Sequence, residues 1–182
     1  MKYDLPRSVE VNGTKYNIRS DYRDILTILE ALSDVELSLP EKAQVMLEIF
    51  YPAFEEMPTA DYEEALRQAA IFINCGREED DRKPVKKFMD WQQDFLLIVA
   101  PINRVLGTDV RGKKYLHWFT FCSAYQEIGD CTFAQVVAIR NKKLEGKKLE
   151  KSEQEFYRRN REIIDFKQQY TAEEEAAISQ WI

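Results

Sequence analysis

The sequence predicts a mainly α protein: a multi-helix bundle around a buried central helix at about residues 113–128, preceded by a small β-hairpin at about 5–19. Two observations carry the bundle. From Tyr115 to Cys122 the chain is apolar or aromatic almost all round, with Tyr115, Leu116, Trp118, Phe119, Phe121 and Cys122; a helix that is hydrophobic on every side has neighbours on every side. Most of the remaining chain carries apolar residues at helical spacing between Gly, Pro and capping residues. A third observation carries the hairpin: Val9-Glu-Val11 and Lys15-Tyr-Asn-Ile18 alternate around Asn12-Gly13, the strongest two-residue turn signal.

Each element follows in order. The hairpin is marginal alone and must pack on the helices of its own chain or add a strand to a partner; the first is the expectation. Ser20 or Asp21 caps a first helix with the stripe Tyr22, Ile25, Leu26, Leu29 and Leu32. Pro40 suits the first turn of a second helix, where Val45, Met46, Ile49 and Phe50 face inward until Pro52. A third helix spans about Asp61 to Asn74 and stops at Gly76. Arg77-Glu-Glu-Asp-Asp-Arg-Lys83 is a polar linker. Pro84 opens the next pattern, which runs through Phe88, Trp91, Phe95, Ile98, Val99, Ile102 and Leu106 to Gly107, with a kink expected one turn before Pro101. Three capping boxes, Thr132 with Gln135, Ser152 with Glu155 and Thr171 with Glu174, mark later helix starts. A single domain is expected over 1–170, with a helix or tail over 171–182.

Composition narrows the function. A formal net charge of −6 argues against a protein whose whole surface binds nucleic acid. Cys75, Cys122 and Cys131 are odd in number and form no CxxC, so reduced thiols in a cytosol are expected. Met1-Lys-Tyr-Asp-Leu-Pro6 lacks an apolar signal core and no stretch approaches a membrane span, so a soluble protein of the cytoplasm is expected, without membrane association.

Chemistry is sparse. His117, the sole histidine, invites a general base, yet no orienting partner stands at motif spacing and a hydrogen-bonded structural role is the ordinary outcome. Asp90 and Asp94 share a helix face and fit paired carboxylates or a solvated edge. The cysteines with His117 lack the paired ligand spacing of structural zinc. No catalytic residue, metal or cofactor is expected. Against the acidic whole, Arg140, Lys142, Lys143, Lys147, Lys148, Lys151, Arg158, Arg159 and Arg161 form a basic region that fits phosphate, an acidic protein or a solvated pair of helices. No aromatic stacking platform interleaves it. Phe156 and the stripe to Ile164, together with Trp181, are candidate exposed anchors or completions of the core.

Several runs carry a resemblance: Asp21-Tyr-Arg-Asp24, Phe50-Tyr51, Asp94-Phe95, Ala100-Pro-Ile-Asn103, Leu106-Gly-Thr-Asp109, Leu116-His-Trp-Phe-Thr-Phe121, Ile139-Arg-Asn-Lys-Lys143 and Gly146-Lys-Lys-Leu-Glu-Lys151. Together they resemble a family of short proteins from tailed bacteriophages and prophages of Gram-positive bacteria, over nearly the whole chain to about Tyr170. The motif of Leu116, His117, Trp118, Phe119, Thr120 and Phe121 is the most specific, and Phe119 stands where members more often carry a second Trp. The resemblance implies a tail-module protein encoded beside the tape-measure gene, acting without catalysis as a tail assembly chaperone. Its implied partner is the tape-measure protein, in the host cytoplasm; a homo-oligomer is compatible with this. Two alternatives stand beside it: a structural virion component of the tail or connector, and a nucleic-acid-binding regulator using residues 140–161.

Overall fold

A computed structural model describes residues 4–77 and 88–166. These fall into two compact units, one comprising the residues up to 77 with Lys114–Cys122, the other 88–113 with 123–166. The described chain is mainly helical, with one two-stranded antiparallel sheet.

In the first unit, β1 (Ser8–Val11) pairs with β2 (Thr14–Asn17) in the register Val9 to Tyr16 and Glu10 to Lys15. Asn12 and Gly13 both take positive φ, 47° and 81°, as a tight hairpin turn of matching twist requires. The hairpin packs on helices of its own chain. Val11 is buried, Asn12 donates to Asp61 Oδ1 at 2.9 Å, and the Tyr16 hydroxyl donates to Asp61 Oδ2 at 2.9 Å. Three helices follow: α1 (Tyr22–Ser33), α2 (Leu39–Phe50) and α3 (Tyr62–Ile73). Asp21 caps α1 by accepting from the Arg23 N–H. Ser38 and Glu41 form a capping box on α2, with Pro40 in its first turn. Ile25, Ile28, Phe50, Tyr51, Ala65, Ala69 and Phe72 are buried.

The expected helix at 113–128 is shorter. A 3-10 turn at Val110–Gly112 leads into extended chain, and α5 covers only Trp118–Gln126. The reason is a competing set of backbone bonds. The Tyr22 N–H donates to the Leu116 carbonyl at 2.9 Å, the Trp118 N–H to the Ser20 carbonyl at 2.8 Å, and the Leu116 N–H to Asp21 Oδ2 at 2.9 Å. Residues 115–117 are thereby held as a strap across the start of α1. Nor is the helix buried all round, since Ser123 and Gln126 are exposed.

The second unit holds α4 (Trp91–Leu106), α6 (Thr132–Leu144), α7 (Lys151–Arg159) and the single turn α8 (Arg161–Ile164), with the last residues of α5. Phe88 to Asp90 lie outside α4, because Asp90 is its cap, accepting from the Gln93 N–H at 2.8 Å. Pro101 sits inside α4, buried. Two expected boxes move. Cys131 rather than Thr132 occupies the cap of α6, and the box of α7 is Glu150 with Glu153, two residues before Ser152. Thr171 lies outside the described residues.

Candidate functional site

The aromatic motif is built into the first unit rather than displayed on it. Leu116, His117, Trp118 and Phe121 are buried, and Phe119 and Thr120 are half-buried. Phe121 stacks on Tyr22 with ring centres 4.7 Å apart, and Phe119 stacks on Phe72 at 4.9 Å. The Trp118 Nε1–H donates to the Ile73 carbonyl at 2.8 Å, tying α5 to the end of α3. His117 spends both ring nitrogens on backbone. Nδ1 accepts from the Phe119 N–H at 3.0 Å, so Nε2 carries the proton and donates to the Pro6 carbonyl at 2.9 Å. From the position just before Trp118 it thus caps the first turn of α5, and burial holds its pKa below the ordinary histidine value, with Arg7 adding to the effect. A ring so committed has no nitrogen left for a substrate.

The basic region divides in two. Arg140 is not a surface cation: its side chain is 3% exposed and forms a fork with Asp94, which is 0% exposed. Nη1 donates to Oδ2 at 2.6 Å and Nη2 to Oδ1 at 2.9 Å, while Nε and Nη2 also donate to the Ile164 and Ile163 carbonyls. Two expectations are corrected together. Asp94 is no solvated edge paired with Asp90, and Arg140 offers nothing to a partner; each neutralises the other because neither charge could be buried alone.

The remaining cations lie outward, and most are matched. Lys142 pairs with Glu153, Lys143 with Asp165 and the Tyr157 hydroxyl, Lys147 with Glu145, Arg159 with Glu155 and Arg161 with Asp165. The bond from Lys142 holds the Glu153 carboxyl below its usual range. Partial burial opposes ionisation of Asp165, but bonds from Lys143, Tyr157 and Arg161 outweigh it and lower its pKa. Among the described residues, Lys148, Lys151 and Arg158 have no ion pair. Phe156 is half-buried against Val136, Ile139 and Ile164 and so helps to complete the core of this unit. Trp181 lies outside the described residues.

What this produces is a recess where α7 turns into α8. Arg158, Arg159, Asn160 and Arg161 stand along it, with Glu162, Ile163, Asp165 and Phe166, and it encloses about 880 Å³. Its lining combines three arginines with two carboxylates and with the aliphatic Ile163 and aromatic Phe166 side chains. A second feature escaped the sequence reading. An apolar groove of about 450 Å³ is lined by Phe88, Tyr125, Ile128, Phe133, Ala134, Val137 and Ala138 among others, without a charged side chain. The spacing of Ala134, Val137 and Ala138, a second apolar face on α6 opposite Val136 and Ile139, was the available signal.

Among the described residues there is no cluster of three or more His, Cys, Asp or Glu side chains able to hold a metal, and no helix is long and apolar enough to cross a membrane. No curated protein and no solved structure matches the chain. One family does, that described as Bacteriophage Gp15 protein, and the match runs over residues 1–166, through the buried aromatic motif of the first unit and the α6–α8 surface of the second. The chain belongs to the Bacteriophage Gp15 protein family.

Proposed function

We propose that this phage protein is a non-enzymatic tail morphogenesis factor, and specifically a tail assembly chaperone that holds the tape-measure protein. The observation that carries the reading is the α7–α8 recess, where Arg158, Arg159 and Arg161 flank Ile163 and Phe166. A chaperone of a long amphipathic helix needs apolar anchorage with contacts weak enough to be replaced. A small apolar floor edged by arginines supplies modest burial together with electrostatic steering, which raises the rate of encounter more than the lifetime of the complex. Family membership and the resemblance to tail-module proteins support the same reading.

Co-expression with the tape-measure protein of its own phage tests it. A soluble complex is expected, weakened when Arg158, Arg159 and Arg161 are each replaced by Glu. Tape-measure protein that stays equally soluble alone overturns the chaperone role; a triple variant that binds as well as wild type overturns the site. Mass spectrometry of purified virions separates the virion-component reading, because a chaperone is scarce there.

A further inference from the structure

The first unit holds a second piece of chemistry that the proposed function does not use. Cys75 and Cys122 are hydrogen-bonded thiol to thiol, and both are partly exposed. Two contacts bring them together. The Trp118 indole donates to the Ile73 carbonyl, and Phe72 stacks on Phe119, so the end of α3 lies against the first turn of α5. Cys75 follows Ile73 by two residues, and Cys122 stands one helical turn beyond Trp118.

The backbone at Cys75 is unusual. Its N–H donates to the Phe72 carbonyl at 2.9 Å and the Gly76 N–H to the Ile71 carbonyl at 2.8 Å, the paired bonds of a Schellman stop. The left-handed position of that motif favours glycine, and Gly146 fills it at the end of α6. At the end of α3 it is filled by Cys75, with φ 55°. A non-glycine residue held there, with its thiol against a second thiol, is an outlier that points to use of the side chain.

We propose that Cys75 and Cys122 form a redox-convertible dithiol, which a small-molecule disulfide oxidises to a bond clasping the end of α3 to α5. The chemistry balances in two exchanges. The Cys75 thiolate attacks one sulfur of the oxidant, forming a mixed disulfide and releasing one thiolate. Cys122, giving up its proton, then attacks the Cys75 sulfur and expels the second thiolate. Two protein thiols are oxidised and one disulfide is reduced to two thiols. The roles follow from the environment. The hydrogen bond from Cys122 favours the Cys75 thiolate and lowers its pKa, making Cys75 the attacking group. The same bond, with burial, raises the pKa of Cys122, which therefore reacts second. A disulfide requires the sulfurs to close to roughly 2.05 Å, a short approach for thiols already in contact. Cys131, in the other unit, takes no part.

The test treats purified, reduced full-length protein with oxidised glutathione and counts free thiols, followed by non-reducing peptide mapping. Wild type and Cys131→Ser are expected to lose two thiols each and to yield a linked Cys75–Cys122 peptide. Cys75→Gly, which the left-handed backbone accepts, keeps native circular dichroism and yields no link. The proposal is overturned if folded wild type carries glutathione separately on Cys75 and Cys122 without a link, or if Cys131 enters links in equal yield.

Discussion

Replacing Arg140 by Met is the sharpest test of how the second unit is held. The guanidinium makes two bonds to the Asp94 carboxylate, at 2.6 and 2.9 Å, and bonds to the Ile164 carbonyl at 2.6 Å and the Ile163 carbonyl at 2.8 Å. It also lies 4.2 Å from the centre of the Phe166 ring. Methionine fills much of the same volume but returns none of these bonds. Asp94 is then left inside, with the Asp90 N–H at 2.9 Å as the donor that remains to it. Removing one partner of a buried pair costs about 3–5 kcal/mol, because the other charge stays buried and unmatched. At a urea slope of about 1–3 kcal/mol per molar, the unfolding midpoint falls by roughly 1 M or more. Asp94→Leu combined with Arg140→Met removes both charges, so the double variant is expected to be more stable than Arg140→Met alone, with a coupling of about 0.5–3 kcal/mol. A single-variant cost under about 1 kcal/mol, the scale of a surface pair, would refute the enclosure of this pair.

The other predictions concern the first unit and the recess. Stability is expected to fall between pH 7 and 5.5 as His117 begins to matter: its folded pKa lies below the unfolded value of about 6.5, so below that pH the unfolded chain takes up a proton that the folded ring refuses. His117→Gln should flatten this window in pH-dependent urea titrations, and an unchanged slope would show another group at work. Trp118→Ala is expected to cost about 3–5 kcal/mol, read from the urea midpoint; an unchanged midpoint would mean the indole is not enclosed. In the recess, Arg158→Glu should weaken tape-measure binding more than Arg159→Glu, because Arg159 is already matched by Glu155. Equal losses would show that intramolecular pairing does not govern which arginine a partner meets. Either change should shift the urea midpoint by no more than about 0.5 kcal/mol allows.

Local chemistry was legible wherever neighbours in sequence are neighbours in space. Asn12-Gly13 specified the hairpin turn, Asp21 the start of α1, and the apolar stripes most of the helices. The failures share a cause in distance. Residues 115–117 read as helix because nothing nearby shows that Ser20, Asp21 and Tyr22 will claim their backbone groups from about 95 positions away. Arg140 read as one more surface cation because its partner is 46 residues earlier. Here a signal existed: 133, 136 and 140 recur at helical spacing on the buried face of α6, so phase alone places Arg140 inside. Counting charge along the segment hid what counting it around the helix reveals.

That distinction also decides between the two kinds of partner a basic segment can serve. A nucleic-acid site needs cations free to replace counterions, each contributing about 0.9 to the slope of log affinity against log salt on duplex DNA. In this segment Arg140 is spent inside, and Lys142, Lys143, Lys147, Arg159 and Arg161 already face carboxylates. Three cations remain without a pair among the described residues, Lys148, Lys151 and Arg158, and these limit the slope from this surface to about 2.7. The acids that neutralise the others would also repel a phosphate backbone. A polypeptide partner is not so constrained. It can approach Arg158 with a carboxylate, lay apolar side chains against Ile163 and Phe166, and leave the existing pairs intact. On the proposed reading, the unmatched cations and the half-buried Ile163 and Phe166 are what a partner would use, and this asymmetry favours protein over nucleic acid at the α7–α8 surface.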